Sequence, residues 1–176
     1  MRKVILGLAV SLDGFIEGPN GEYDWCFTDQ DYGMTDFLKR IDAIFYGRKS
    51  YEMMMSAEAP EGGNPWDWKG IRSYVFSNTL KKEGKDFELV SGDIVKKVKE
   101  IKSMEGKDIW LFGGASLTAS LLNAGLVDEL GMAVHPILLG QGKPLFSGIE
   151  KRIKTKLIDA KTYSTGLVYL SYDVIS

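Results

Sequence analysis

The sequence predicts an α/β fold of three layers, in which helices cover both faces of a central, mostly parallel sheet and antiparallel strands follow at the C-terminal end. As far as Gly125, apolar β-branched runs alternate with segments of helical spacing. Such alternation is typical of a parallel sheet with helices on both sides. After Gly125 it stops, and residues 127–139 and 167–175 are strand-like with no helical segment between them. We therefore expect the C-terminal part to add antiparallel strands.

Five apolar runs are expected to form buried strands, because their hydrophobicity is too continuous for a strand with one face in water. These runs are residues 3–10, 43–47, 73–77, 87–90 and 109–112. Apolar residues between the runs recur at helical spacing, which predicts four covering helices. They are Phe37, Leu38 and Ile41, then Tyr51, Met54 and Met55, then Ile94, Val95, Val98 and Ile101, and finally Leu117, Leu121 and Leu122. Residues 57–70 contain Pro, Gly and Trp without a period and predict a long surface loop.

Composition limits the classes of protein that this chain can represent. With 176 residues, of which 44% are apolar, residues 1–176 are expected to form one domain. The net charge of −2, with both signs interspersed, gives no basic face for nucleic acid. One cysteine and one histidine make neither an internal disulfide nor a predicted metal site. The N-terminal apolar run stops within about eight residues, so we expect a strand rather than an export signal, and a cytoplasmic protein without a membrane segment.

The segment at residues 46–55 carries its charges in an unexpected place. An apolar strand ends at Gly47, and the spacing predicts a helix that begins near Ser50, so Arg48 and Lys49 lie at the positive end of a helix dipole. Each charge should be unfavourable there by a few tenths of a kcal/mol, roughly, unless an anion such as a phosphate docks on the free amide groups. The alternative is that both side chains point into solvent or pair with Asp42 and Glu52.

A second strand end, at residues 109–117, combines an apolar strand with paired glycines and a helix. Gly113 and Gly114 lack a Cβ, so the backbone there can approach a ligand closely. The alternative for the glycines is a tight strand-to-helix turn, and for Ser116 it is a helix cap. Neither GxGxxG nor GxxxxGK[ST] is present, so the sequence contains no classical dinucleotide or Walker fingerprint.

A third strand end places Ser77, Asn78 and Thr79 directly after an apolar strand. In open α/β sheets, ligands bind outside the carboxyl ends of the strands. The three strand ends are therefore expected to converge on one crevice suited to a nucleotide.

Taken in order, several segments resemble the dihydrofolate-reductase-like superfamily, in the branch that includes the C-terminal reductase domain of the bifunctional riboflavin-biosynthesis deaminase/reductase. The segments are SLDGFI at 11–16, GRKSYE at 47–52, FSNTL at 76–80, FGGASL at 112–117, GLVDEL at 125–130 and HPILLGQGKPLF at 135–146. The resemblance covers nearly the whole chain. The HxE…PCxxC zinc pattern of a deaminase is missing, so no deaminase domain is expected.

The resemblance implies that NADPH is the cofactor and that most of the strand-end residues bind it. The residues matched to the pyrophosphate and the 2′-phosphate are Gly47, Arg48, Lys49, Ser50, Ala115, Ser116 and Leu117. Those matched to the adenine side are Ser77, Asn78, Ser91 and Gly92. Those matched to the nicotinamide side are Ala9, Ile16, Phe112 and the pair Gly113 and Gly114, which the family often joins by a cis peptide.

The substrate half departs from dihydrofolate reductase proper. The carboxylate that the enzyme uses to bind a pteridine would fall near Gly33 in this chain, with Asp29 and Asp31 only as neighbours. The candidate proton donors are therefore Asp13 and Asp31, although an aspartate before a glycine is also a turn former.

Further candidates on the substrate side are Ala9, Asp13, Asp24 and Trp25. The indole could stack on a flat ring or fill the core. His135, between Val134 and Pro136, is expected to be a packed residue rather than a catalyst.

The predicted function is an NADPH-dependent reductase that passes hydride to a small planar heterocycle, a pterin or an aminopyrimidine. The alternative is a catalytically silent nucleotide-binding module that forms a dimer. In the resembled branch, the region at residues 135–146 helps to pack a homodimer near the substrate mouth, so we expect a homodimer.

Overall fold

The computed structural model describes residues 1–56, 70–81 and 87–175, and these form ten strands and four helices. The strands are Val4–Ser11 (β1), Phe15–Glu17 (β2), Ile41–Gly47 (β3), Arg72–Phe76 (β4), Glu88–Val90 (β5), Asp108–Gly113 (β6), Glu129–His135 (β7), Lys143–Pro144 (β8), Lys154–Thr162 (β9) and Val168–Ile175 (β10). The helices are Met34–Arg40 (α1), Arg48–Ser56 (α2), Ile94–Ser103 (α3) and Ala115–Asn123 (α4). The loop predicted over residues 57–70 lies outside the described residues, apart from Gly70.

Eight strands form one sheet in the order β5-β4-β3-β6-β1-β7-β10-β9. Strands β1, β3, β4, β5, β6 and β7 run parallel, whereas β10 is antiparallel to both β7 and β9. The predicted fold class is thus confirmed. A separate antiparallel pair, β2 with β8, joins the loop after β1 to the segment after β7.

The two faces of the sheet carry separate halves of the core. Successive side chains of a strand point to opposite faces, and in β6 Ile109 and Leu111 pack with α3 and α4 while Trp110 packs with α1 and α2. The same alternation holds along β3 from Ala43 to Tyr46. All five predicted apolar runs contribute a strand to the sheet, and the central residues of four of them are buried, as expected for strands covered on both sides. In the run 87–90, which forms the edge strand β5, Glu88 and Leu89 are half-buried.

Two details of the sequence prediction are wrong, and one strand was not predicted. Strand β7, expected to be antiparallel, pairs in parallel with β1 from Ile5 to Ser11. Ile41, assigned to a helix, begins β3, because α1 ends at Arg40 and the chain enters the sheet directly. Strand β9 has no sequence signal, since every one of its residues is exposed and no apolar face marks the period.

Candidate functional site

Most of the residues predicted to bind the cofactor lie along one edge of the eight-stranded sheet, whereas Ile16 lies on β2, outside that sheet. Because six strands run parallel, their carboxyl ends share that edge, and β5, β4, β3 and β6 are consecutive neighbours there. The residues that follow these four ends are Ser91 and Gly92, Ser77 and Asn78, Gly47 to Ser50, and Phe112 to Leu117. Ala9, half-buried near the end of β1, lies opposite Ala133 of β7. The predicted convergence of three strand ends is therefore present in the fold.

The ends of β3 and β6 meet directly at their glycines. A Cβ built on Gly47 would lie 3.4 Å from the carbonyl oxygen of Gly113 and 3.5 Å from the nitrogen of Gly114. The Gly113–Gly114 peptide is cis, as the resemblance implied, and Gly113 has a φ of +110° that side-chain-bearing residues rarely adopt. Helices α2 and α4 start from these two points, so their N-termini open onto the same place.

The start of α4 is free of side chains that would satisfy its amide groups. Gly114 occupies the N-cap and makes no side-chain cap bond, so the alternative assignment of Ser116 as the cap is wrong. Ser116 lies one residue inside the helix, where its carbonyl accepts from Oγ of Ser120 at 2.9 Å. Thr118, 1% exposed, has an Oγ1 atom without a hydrogen-bond partner among the described residues. Unpaired buried hydroxyls cost free energy, so this one is notable.

Helix α2 begins at Arg48, two residues earlier than predicted, and has no acidic residue in its first turn. The Arg48 guanidinium is not free, because Nη1 donates to both carboxylate oxygens of Glu52 at 3.0 and 2.9 Å. Of the two pairings that the sequence left open, the one with Glu52 forms, whereas Asp42 pairs with Arg2 instead. Lys49 is exposed.

The ends of β4 and β5 are tied together by side chains. Oδ1 of Asn78 accepts from the amide of Gly92 at 3.0 Å, and Oγ of Ser77 accepts from the amides of Thr79 and Leu80 at 3.1 and 3.0 Å. These contacts shape a polar turn beside the start of α2, at the position that the resemblance matches to the adenine side.

Asp13 anchors the loop after β1 to the segment after β7. Its carboxylate accepts from Oγ of Ser11 at 2.6 Å and from the amides of Leu139 and Gly140 at 3.2 and 2.8 Å. The Ser11 hydroxyl, followed by these amides, holds the pKa of Asp13 below its usual value. This geometry favours the turn-forming alternative for Asp13.

Asp31 has a similar structural role at the start of α1. Its carboxylate accepts from the hydroxyl and the amide of Thr35 at 2.6 and 2.9 Å and from the amide of Gly33 at 3.1 Å. The Thr35 side chain is the largest cause that lowers the pKa of Asp31. A carboxyl group with a lowered pKa is ionised at neutral pH and is a weak source of protons.

An aromatic cluster covers the end of β7. Trp25 meets the His135 ring edge-on at a centroid distance of 5.3 Å, and Phe27 lies 5.0 Å from the same ring. His135 is 2% exposed, its Nδ1 lies 2.9 Å from the carbonyl of Ala133, and its Nε2 accepts from the amide of Phe27 at 3.0 Å. The imidazole therefore serves as a neutral buried link, as expected for a packed histidine. The indole Nε1 of Trp25 is buried and has no partner within the described ranges.

Tyr32 fixes the other side of this cluster. It has a φ of +50°, an unusual value for a residue with a side chain, and its hydroxyl lies 2.6 Å from Oδ1 of Asp29 and 3.2 Å from Oγ1 of Thr165. Its ring meets Tyr163 edge-on at 4.9 Å. The loop before α1 is thus attached to the turn between β9 and β10. Nothing in the sequence period marks this contact, because Tyr32 and Thr165 are far apart in the chain.

With this geometry established, comparison with known proteins identifies the family. The model of the RibD C-terminal domain matches residues 2–169. The chain belongs to the RibD C-terminal domain family. Uncharacterized protein YyaP of Bacillus subtilis (strain 168) is 46% identical over 178 residues, which cover 97% of this chain and 94% of YyaP.

Two solved structures place this family member in the dihydrofolate-reductase-like fold. A putative riboflavin biosynthesis protein from Shewanella sp. PV-4 is 25% identical, with a TM-score of 0.85 and complete coverage of both chains. Dihydrofolate reductase from Enterococcus faecalis, solved in complex with NADP(H), is 13% identical, with a TM-score of 0.70, over 99% of this chain and 97% of that one. The fold is therefore of a reductase type.

In this RibD C-terminal domain protein, ion pairs link the elements at the opposite edge of the sheet, where the parallel strands begin. Arg40 donates to both oxygens of Glu129 at 2.8 and 2.7 Å and to Asp108 at 2.8 Å. The buried Nζ of Lys102 is paired with Asp128 at 2.5 Å. Charges paired in this way hold the amino ends of the strands together.

Two other classes of site find no support in the described part of the chain. No group of three or more His, Cys, Asp or Glu side chains there could hold a metal ion. Burial, and then the charge of Asp24, raise the pKa of Cys26 to about 11, so its sulfur stays a thiol at neutral pH.

Among the described residues, no helix has the length and apolar character needed to cross a membrane.

One residue near the glycine pair was missed by the sequence reasoning. Lys143 of β8 has its Nζ 3.9 Å from the position of a Cβ built on Gly114. The only signal in the sequence was a lysine between Gly142 and Pro144, which does not reveal that β8 lies beside α4.

Proposed function

We propose that this chain is an NADPH-dependent reductase that transfers hydride to a small planar heterocycle, a pterin or an aminopyrimidine of the riboflavin or folate type. The observation that carries the proposal is the contact between Gly47 and the Gly113–Gly114 peptide. It brings the N-termini of α2 and α4 together at the carboxyl edge of the sheet. Two helix N-termini that share one point suit a ligand with several phosphate groups.

The chain's own residues fit such a dinucleotide. Neither α2 nor α4 has an acidic residue in its first turn, so no internal carboxylate occupies the amide groups there. A Cβ on Gly114 would lie only 3.2 Å from Oγ of Ser50, so a larger residue would fill the space between the two helix starts. The buried Oγ1 of Thr118, without a partner in the described part of the chain, faces Gly113.

The comparisons support the same reaction class. The family model is that of the RibD C-terminal domain, a structural relative is described as a putative riboflavin biosynthesis protein, and a second neighbour in fold is a dihydrofolate reductase in complex with NADP(H). On this basis the assignments of Arg48, Lys49 and Ser50 to phosphate groups, and of Ser77, Asn78, Ser91 and Gly92 to the adenine side, are retained as proposals.

NADPH, when bound, supplies the hydride, and the protein supplies position and a dry environment. In this proposal Ala9, Ile16 and Phe112 orient the nicotinamide side, with Gly113 and Gly114 against it. Trp25, which is half-buried, offers a flat apolar surface to an acceptor heterocycle. The carboxylates of Asp13 and Asp31 accept from backbone amides and carry no proton to give. In this proposal, the proton that the substrate needs comes from water in the loop region between β1 and α1.

A second candidate is a dimeric nucleotide-binding module without turnover. The observation that favours it is the occupation of both Asp13 and Asp31 by backbone and hydroxyl donors. These bonds lower the pKa of both candidate carboxyl groups, so neither is suited to give a proton.

One experiment separates the two. NADPH binding is measured by fluorescence titration. NADPH oxidation is then followed by the loss of its absorbance at about 340 nm, with dihydropterins, ribosylated aminopyrimidines and quinones as acceptors. Binding together with oxidation by a heterocycle supports the reductase. Binding without oxidation by any acceptor supports the silent module, and absence of NADPH binding contradicts both.

We also propose that residues 1–176 form one cytoplasmic domain that assembles as a homodimer. The segment after β7 leaves Leu138 and Phe146 69% and 44% exposed, which is a large apolar exposure on a short stretch. This is the segment that the resemblance links to dimer packing near the substrate mouth.

A further inference from the structure

Lys143 brings a positive charge to a place that already carries the positive end of a helix. It lies on β8, which pairs with β2, and its Nζ is 3.9 Å from the Cβ position of Gly114, the N-cap of α4. The free amides at the start of a helix carry roughly half a positive charge. An ammonium beside them is unfavourable unless an anion lies between the two.

Among the described residues, the carboxylate of Glu17 compensates this charge. Oε1 of Glu17 lies 3.2 Å from Nζ of Lys143, and about a third of each side chain is exposed. The pair is therefore screened by water and is readily exchanged for a stronger anion. Glu17 lies on β2, the strand that pairs with β8.

Lys143 also stands between two open cavities. One, of about 440 Å³, is lined on its far side by Ser116 and Ser120 of α4. The other, of about 640 Å³, is lined by Glu17 and Gly142. The ammonium thus has access to the open space along α4 that begins at Ala115.

We propose that Lys143 is a phosphate-binding residue, which exchanges Glu17 for a phosphate group held at the N-terminus of α4. The inference rests on the proposed function, because it deepens the same site. The phosphate belongs either to the pyrophosphate of the dinucleotide or to a phosphate ester on the sugar chain of the acceptor. Because Glu17 lies on β2 and Lys143 on β8, release of Glu17 also couples phosphate binding to the pairing of these two strands, which closes the loop after β1.

The test compares K143M with K143R by calorimetric titration, using NADPH and ribose 5-phosphate as separate probes. The matched control is K156M on the exposed strand β9. A lost charge-assisted bond should weaken binding by about tenfold or more, and K143R should retain most of the affinity. The binding constant of K143M should also fall less steeply with salt. Weakened NADPH binding assigns the dinucleotide phosphate, whereas weakened ribose 5-phosphate binding assigns the phosphate ester.

E17Q provides a second measurement that does not depend on the stability of K143M. Removal of the competing carboxylate should tighten binding of the assigned probe several-fold. Unchanged affinity of K143M for both probes, an equal loss in K156M, or no tightening in E17Q would each overturn the assignment of Lys143. If the wild-type chain binds NADPH and K143M does so equally well, the inference fails while the proposed function stands. If the wild-type chain binds neither probe, both fail.

Discussion

Gly47 packs against Gly113 so closely that the carbonyl oxygen of Gly113 is 3.4 Å from the place where a Cβ of residue 47 would lie. Two neighbouring parallel strands end at this contact, and a helix starts from each of them. The contact therefore fixes the distance between two helix N-termini, and we expect the affinity of the site for a dinucleotide to depend on the small size of these residues.

Gly114→Val should abolish NADPH binding while the fold is retained. The backbone of Gly114 has ordinary angles, with a φ of −69°, so valine is not strained there, but its Cβ would lie 3.2 Å from Oγ of Ser50. The extra methyl groups would fill the space between α2 and α4. The measurement is calorimetric titration with NADPH, and circular dichroism reports the fold. The matched control is Ala124→Val, which makes a similar change at the exposed opposite end of α4. Undiminished NADPH affinity in a folded Gly114→Val variant would mean that the glycines form only a structural turn.

The cofactor preference should depend on Arg48. A charge-assisted bond to the 2′-phosphate is worth roughly 1.5–3 kcal/mol, so NADPH should bind more tightly than NADH by about tenfold or more. Arg48→Ala should remove most of this difference and leave NADH binding almost unchanged. Because Glu52 now holds the guanidinium at 2.9 Å, Glu52→Gln should strengthen NADPH binding. Dissociation constants for both cofactors give the answer, with Arg152→Ala on an exposed loop as the control. Equal affinities of the wild-type protein for NADPH and NADH would contradict the prediction.

Much of the fold was predictable because its signals are local. The buried strands read as continuous apolar runs, and the amphipathic spacing of residues such as Val98 and Ile101 marks α3 directly. Strand β9 was not predictable, since its nine residues are all exposed and its pairing with β10 depends on the antiparallel return of the chain. Strands β2 and β8 are too short to show a period.

The candidate site divides in the same way. The glycines at residues 47, 113 and 114 stand out in the sequence because they follow apolar strands, and parallel pairing then brings them together. Asp13, His135 and Lys143 each have a partner from a segment more than 100 residues away in the chain. No local pattern encodes those contacts, so the sequence leaves a catalytic role for Asp13 open beside the turn-forming one that an aspartate before a glycine favours.

Stability should decrease at acid pH in a way that depends on His135. Burial lowers the pKa of His135, and its Nε2 accepts from the amide of Phe27, so the folded state favours the neutral ring. The unfolded chain titrates at about 6.5 and takes up its proton first as the pH falls. This contribution is therefore complete above about pH 6.5 and is lost progressively as the pH falls toward the lowered pKa of the folded state.

The free energy of unfolding in urea is measured for the wild type and for His135→Gln. The two pH values, roughly 5 and 8, lie on either side of the ordinary pKa of histidine. Glutamine keeps an acceptor and a donor but does not titrate. The wild type should lose more stability between the two pH values than the variant does. The chain contains one histidine, so the difference between the two proteins isolates this side chain. The same loss in both would show that His135 does not carry the effect.

Dimer formation should depend on the apolar segment after β7. Leu138 is 69% exposed, and an apolar side chain of this size gains about 1.5–3 kcal/mol when it becomes buried. Leu138→Glu should therefore shift the protein from dimer to monomer in sedimentation-velocity experiments. Leu157→Glu, at a 51% exposed leucine on β9, is the matched control and should leave the dimer intact. If Leu157→Glu alone dissociates the dimer, the interface is the sheet edge; a monomeric wild-type protein would exclude a stable dimer.

The last prediction concerns the proton. If Asp13 or Asp31 gave a proton to the substrate, replacement by Asn would lower turnover by roughly 10²–10⁴-fold while NADPH binding survived. In the structure, both carboxylates accept from two or more donors, and these bonds lower the pKa of each. At neutral pH each is therefore ionised and without a proton to give. The hydrogen bonds that stabilise each ionised carboxylate are fully present above the ordinary aspartate pKa and are lost as the pH falls through the lowered pKa of the folded state.

We accordingly expect Asp13→Asn and Asp31→Asn to lower the melting temperature and to change turnover per folded molecule by only a few-fold. Steady-state kinetics with the best acceptor, normalised to the folded fraction, checks this, and Asp36→Asn on the exposed side of α1 is the control. A loss of 10²-fold or more, roughly the size expected for a general acid, in one variant with unchanged NADPH affinity would instead make that aspartate the proton donor.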